Sequence, residues 1–197
     1  ATAHAHDRGI KRVLIIDWDA HHGNGTYDIF ASQNNVLLID FHQDGLYPET
    51  GSLNECGKGG GQGYTINIPL PPESNDLDYL YAFEKIVLPA AKWYQPELVL
   101  VSCGFDAHSK DPEAGMSLTS EGFGWLTLLA RQISEDSAQG RLGLILEGGY
   151  LIPMLGDCTR TCVNALTGGY SMPIITYPII RDRSAVEKLL PRISQLT

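Results

Sequence analysis

The sequence predicts an α/β domain built on a parallel sheet, and three observations carry that expectation. Five short apolar runs, at 12–17, 36–41, 64–68, 97–103 and 142–147, read as strands buried on both faces. Helical stretches alternate with them at 26–32, 77–93, 120–136 and 155–166, and a last amphipathic stretch follows at 184–193. Such alternation signals βαβ units, whose strands lie parallel beneath covering helices. Polar, glycine-containing segments then follow three of the strands, and ligand sites in open α/β sheets collect at the carboxyl ends of strands.

Taken in order, residues 1–10 read as the back half of a helix with no N-cap of its own. Run 12–17 feeds the first polar segment. The Gly-rich stretch 45–63 leads into a strand rather than a helix, so it is expected to be a surface loop at the rim of a site and not a phosphate cradle. Neither a repeat nor a second domain interrupts the pattern, and residues 1–197 are read as one partial catalytic domain.

Composition narrows the function classes. The 197 residues are 43% hydrophobic and 19% charged, which suits a globular chain with a sizeable core. A net charge of −9 argues against nucleic-acid binding, which needs a basic face, and suits a cationic substrate. The four cysteines (Cys56, Cys103, Cys158 and Cys162) are too scattered for a disulfide scaffold. With no signal peptide and no apolar run of about 18 residues, the expected compartment is the cytoplasm, away from membranes. Homo-oligomerisation is compatible with all of this.

The chemistry concentrates in Asp17-Trp18-Asp19-Ala20-His21-His22-Gly23. In extended chain alternate residues share a side, so Asp17, Asp19 and His21 are expected to face one way and His22 the other. Carboxylates and an imidazole at a strand end suit a divalent metal. Asp106, in Gly104-Phe105-Asp106-Ala107-His108, supplies a third ligand. One His and two carboxylates leave an open coordination position, the catalytic arrangement for zinc, where the metal polarises a carbonyl and acidifies water. Tyr150, in Glu147-Gly148-Gly149-Tyr150, is placed as a donor to an oxyanion.

These segments, with Asn24-Gly25-Thr26 and Asp111-Pro112, resemble the zinc-dependent histone deacetylase family, which includes acetylpolyamine deacetylases, over residues 11 to 169. Asn24 and Gly104-Phe105-Asp106 look more like class II and bacterial members. The resemblance implies a three-layer arginase/deacetylase-like fold with a mainly parallel sheet, whose N-terminal part is missing here. It implies zinc on Asp19, His21 and Asp106, and Tyr150 on the substrate carbonyl. It also implies potassium behind the zinc, held by Asp17 with the carbonyls of Asp19, His21 and Phe41, and with Asp40 where relatives often carry Ser. Phe30, Gln33, Val36 and Tyr64 match a peripheral cation site. Tyr47 and Gly149 match walls of the acyl-lysine tunnel, and Glu113 a rim position where a carboxylate favours a cationic amine tail. His22 supports the zinc ligands from the other face.

The implied reaction is metal-assisted hydrolysis of the acetyl amide of acetyl-lysine or an acetylated polyamine, releasing acetate. The family's tandem His pair, its general base and acid, has no match: His21 is committed to zinc, and His4 and His6 read as surface residues. The chain is therefore expected to hold the metal half of a site, to need the missing N-terminal segment as a partner, and to be inactive alone. Two other readings compete. One is an arginase-like ureohydrolase with two manganese ions, disfavoured because Gly23 and His108 stand where further Asp ligands are needed. The other is a non-catalytic metal-binding pseudoenzyme.

Overall fold

The computed structural model describes residues 1–172 and 183–195. Strands β1 (Val13–Asp17), β2 (Val36–Gln43), β3 (Thr65–Leu70), β4 (Leu98–Cys103) and β5 (Leu142–Leu146) form one sheet in the order β3-β2-β1-β4-β5. Every pairing is parallel. The register sets Asp17 beside Asp40 on one side and Ser102 on the other, and Cys103 beside Leu146. The polar segments that follow the strands therefore emerge in one row, and that row is where a site can form.

Strand alternation sorts the core into two layers. Val13, Ile15, Val36, Leu38 and Leu100 pack on one face, against Ala5, Tyr27 and Ala31. Ala5 lies on α1 (Thr2–Asp7) and Tyr27 on α2 (Asn24–Phe30). Leu14, Ile16, Leu37, Ile39, Val99 and Val101 pack on the other, beneath the remaining helices. These are α3 (Asp76–Ala82), α4 (Leu88–Tyr94), α5 (Ser120–Ser137), α6 (Ile152–Leu166) and α7 (Ser184–Ser194).

Local chemistry explains several boundaries. Asn75 opens α3 with a reciprocal cap: its Oδ1 accepts from Leu77 N at 2.9 Å, and Asp78 Oδ2 accepts from Asn75 N at 2.8 Å. Thr119 opens α5 by accepting from Gly122 N at 3.1 Å.

The sequence expectations shift in four places. The opening helix is shorter than residues 1–10 and ends at Asp7. The stretch 77–93 is helical but contains a π-helical turn, Phe83–Val87, between α3 and α4. Helix α6 starts three residues before 155, because Pro153 fits a first turn, where its missing N–H is no loss. The Gly-rich stretch is more than surface. Gly51 is buried, and a Cβ there would stand 2.6 Å from atoms of both the His22 and His42 rings. The residue types that permit such close approach are the ones that made the segment read as a loop.

Candidate metal centre

Strand β1 ends at Asp17, so the alternation expected across Asp17, Asp19 and His21 stops there and the turn takes over. Asp19, His21 and Asp106 converge: one ligand atom from each lies within 4.8 Å of the others. His21 Nδ1 sits 3.1 Å from Asp19 Oδ1 and 2.9 Å from Asp106 Oδ2. Backbone fixes the carboxylates. Asp106 Oδ1 accepts from Ala20 N at 2.7 Å, and Asp19 Oδ2 accepts from Gly148 N at 3.0 Å. The approach from the other loops is so close that a Cβ on Gly148 would stand 2.6 Å from Asp19 Oδ2 and run into Asp106, and one on Gly104 would run into Asp19.

The electrostatics are those of a place that wants a cation. Burial, and then the Asp19 carboxylate, push the Asp106 pKa up to about 7. Burial opposes charge on His21, but the Asp106 and Asp19 carboxylates outweigh it and hold the imidazole above its usual range. The donor set, two carboxylates and one His, suits zinc with an open position. Among the described residues Asp19, His21 and Asp106 are the only cluster of this kind. Gly23 offers no ligand. His108 points elsewhere, with Nδ1 accepting from Lys110 N at 3.1 Å and Nε2 3.4 Å from Ser120 Oγ. A second metal of the ureohydrolase type therefore lacks its donors among these residues.

Asp17 belongs to a different layer. Its Oδ1 accepts from Asp19 N at 3.0 Å, while its Oδ2 and Asp40 Oδ2 flank Gly23, at 2.6 and 2.9 Å from the point a Cβ would occupy. Burial, and then the Asp40 and Asp19 charges, raise the Asp17 pKa well above the carboxylate range. Asp40 is wholly buried, accepts from Gly23 N at 2.8 Å and pairs with His42 Nδ1 at 2.7 Å. Phe41 follows in β2, its ring buried and stacked on Tyr79 with centroids 5.4 Å apart. At the expected peripheral cation site, the Phe30 and Tyr64 carbonyls already accept from Gln33 N and Leu38 N, both at 2.9 Å. His22, expected to face away from His21, is buried but borders the same cavity as His21, with Nδ1 2.7 Å from Thr50 Oγ1 and its ring 5.1 Å from that of His42.

The metal group opens into a cavity of about 560 Å³ bordered also by Tyr47, Pro48, Glu147, Gly148 and Tyr150. Tyr47 and Tyr150 are exposed at its mouth. Burial, followed by the Asp106 and Asp19 charges, raises the Tyr150 pKa, so the phenol keeps a proton to donate. Gly149, expected as a tunnel wall, does not border the cavity and faces Phe105 and Leu155; its neighbour Gly148 borders it instead. Glu113 lies outside the cavity wall but close enough for its charge to act on Tyr150. His4 and His6 sit on α1, which packs at the start of β1, away from the row of strand ends. Sequence reasoning missed Glu147 as a wall and the His42 partner of Asp40. A Glu in the Glu-Gly-Gly-Tyr segment was visible, but the pairing of Asp40 with His42 depends on side-chain direction and had no local signal.

Comparison with known proteins agrees with this geometry. The family model described as the Histone deacetylase domain matches residues 1–166. A probable deacetylase of Archaeoglobus fulgidus is 39% identical over 171 residues, covering 87% of this chain and 48% of that protein. A histone deacetylase-like amidohydrolase of Pseudomonas aeruginosa is 40% identical over 161 residues, covering 81% and 42%. The crystal structure of the HDA15 HD domain superposes with a TM-score of 0.85 at 35% identity, over 99% of this chain and 54% of that one. The chain thus spans about half, or less, of the length of these curated relatives. No helix among the described residues is long and apolar enough to cross a membrane. A parallel α/β sheet, a metal-ready group at its strand ends and a family match over most of the sequence lead to one conclusion: the chain belongs to the histone deacetylase family.

Proposed function

We propose that this chain carries the metal-binding half of a zinc-dependent deacetylase, which hydrolyses the acetyl amide of acetyl-lysine in histones and other proteins, or of acetylated polyamines. The observation that carries the reading is the Asp19–His21–Asp106 group opening into a cavity with Tyr150 at its mouth. Zinc bound there supplies a Lewis acid for the acetyl carbonyl and an acidified water. The chain's own residues supply the rest of what is present. Asp19, His21 and Asp106 hold the ion. The Tyr150 phenol, kept protonated, donates to the carbonyl oxygen as negative charge develops on it. Tyr47 offers an aromatic wall, and Glu113 gives the mouth a negative charge suited to a cationic amine. Potassium between Asp17, Asp40 and the neighbouring carbonyls would relieve the buried charge beside the zinc group.

The proton-transfer half comes from elsewhere on this reading. The cavity is bordered by His21, which is in the metal group, and by His22, whose Nδ1 is engaged with Thr50. Among the described residues strand β5 also presents an open apolar edge, with Leu146 55% and Ile145 43% exposed, beside the loop that carries Tyr150. We propose that the further length present in the relatives covers that edge and brings the general base to the cavity. Four free cysteines, three of them buried, suit a reducing compartment such as the cytoplasm. The test is deacetylation of an acetyl-lysine peptide and of an N-acetylated polyamine by the zinc-loaded chain, alone and after adding the half of the Pseudomonas relative that this chain does not match. Turnover only in the mixture supports the proposal. Full turnover by the chain alone contradicts it.

A further inference from the structure

We infer that Asp111 is the positioning residue that fixes the backbone of Tyr150 against the metal group. Its consequence for ligand binding rests on the reading of Tyr150 above. Tyr150 is 58% exposed, and its own side chain packs little of the loop that carries it. The loop is instead held from behind. Asp111, only 7% exposed, turns its carboxylate under it: Oδ2 accepts from Tyr150 N at 2.7 Å and from Leu151 N at 3.2 Å. Its Oδ1 accepts from Glu113 N at 3.0 Å, which also ties down the rim.

The arrangement links the two loops that matter. Asp111 lies five residues after Asp106, and two short turns fix that interval: His108 N donates to Phe105 O at 3.1 Å, and Asp111 N to His108 O at 2.8 Å. At the other end of the Tyr150 loop, Phe105 N donates to Gly148 O at 2.9 Å, and Gly148 N to Asp19 Oδ2. The segment from Gly148 to Leu151 is thus pinned at both ends to the loops bearing the metal ligands. Leu151 also precedes α6, which has no side-chain cap of its own, so the Asp111 carboxylate satisfies N–H groups at that helix start from across the fold. A carboxylate accepting two N–H groups makes a charge-assisted, geometrically tight clamp. A phenol that must meet a developing charge needs its position set to a fraction of an ångström.

A helix cap alone would stabilise α6 without directing Tyr150, and the test separates the two. Amide hydrogen exchange is followed by NMR in the metal-free 197-residue chain. With Asp111→Ala, the Tyr150 and Leu151 amides are expected to exchange about tenfold faster or more, while amides of β1 and β4 keep their protection. Asp111→Asn, which retains one acceptor oxygen, should fall between and serves if the Ala variant does not fold. Unchanged exchange at Tyr150 and Leu151, or an equal loss across the whole chain, overturns the inference. In the zinc-loaded chain, Asp111→Ala and Tyr150→Phe should each weaken acetohydroxamate binding about tenfold, and the double variant should bind no more weakly than either. Additive losses would show that Asp111 does not act through Tyr150. Unchanged hydroxamate affinity in Tyr150→Phe would remove the reading of Tyr150, whereas the clamp itself is decided by the amide exchange.

Discussion

The two edges of the sheet are finished differently. At the β3 edge, α7 lies alongside with Val186, Leu189 and Ile193 buried, and Arg192 Nη2 donates to the carbonyls of Gly63 and Thr65 at 2.7 and 2.8 Å. An edge covered by a helix and tied by a guanidinium is closed to further strands. At the β5 edge the strand Leu142–Leu146 is apolar, half-exposed along its length and most exposed at its carboxyl end, next to Tyr150. Asp19 and His21 follow β1, on the closed flank, while Asp106, Gly148 and Tyr150 come from the open one. The difference teaches that the metal group sits on a seam. One side is covered and tied down by α7, and the other has an apolar surface that no described residue covers.

The largest effect expected from this contrast is in stability. Phe41→Ala, in the fully buried stretch of β2, should cost about 3–5 kcal/mol in denaturant unfolding, whereas Leu146→Ala on β5 should cost under about 1 kcal/mol. Equal losses would erase the distinction between the flanks. Arg192→Ala should cost about 1–2 kcal/mol by leaving two edge carbonyls without their charged donor, and deuterium uptake in β3 should rise with it. Paired Ile145→Lys and Leu146→Lys changes should alter the stability of the chain by less than about 1 kcal/mol, yet reduce self-association in light scattering and abolish rescue of activity by the complementary half. Retained rescue would mean that the open edge is not where that half docks.

The seam itself should respond to pH when metal is absent. Asp106 holds its proton to about pH 7 in the folded chain but only to the ordinary carboxylate range when unfolded, so its contribution is lost as pH rises between the two. The raised His21 pKa acts in the same direction, since stability gained by its protonation is lost as pH rises through its folded value. Denaturant midpoints measured with a chelator should therefore fall from pH 5 to pH 8, and zinc should reverse the trend because it binds the deprotonated ligands. A midpoint rising with pH under the chelator would show that the carboxylates are not crowded as described.

Much of this was legible in the sequence. Apolar runs marked all five strands to within about two residues: β1 to β4 are largely buried and must be apolar throughout, whereas β5 is as apolar but half-exposed, contrary to the expectation of burial on both faces. That Asp19, His21 and Asp106 would come together was legible because the residue types able to hold a metal are few and stand here at strand ends. What escaped depends on contacts between distant segments. The Asp111 clamp joins residues about forty positions apart, and nothing near Asp111 announces it. Asp40 was read only as part of a cation site, and nothing near it showed that His42 and Gly23 satisfy its carboxylate. Extended-chain periodicity put Asp17, Asp19 and His21 on one side and fails because the strand stops at Asp17; the family resemblance had already set Asp17 apart from the other two.

The central claim is one zinc held by residues from both flanks, and calorimetric zinc titration of the chain with and without Asp106→Ala tests it most directly. One zinc per chain, with affinity reduced at least a hundredfold in the variant, is the predicted result. Unchanged affinity in the variant, no binding at all, or two manganese ions per chain would contradict it.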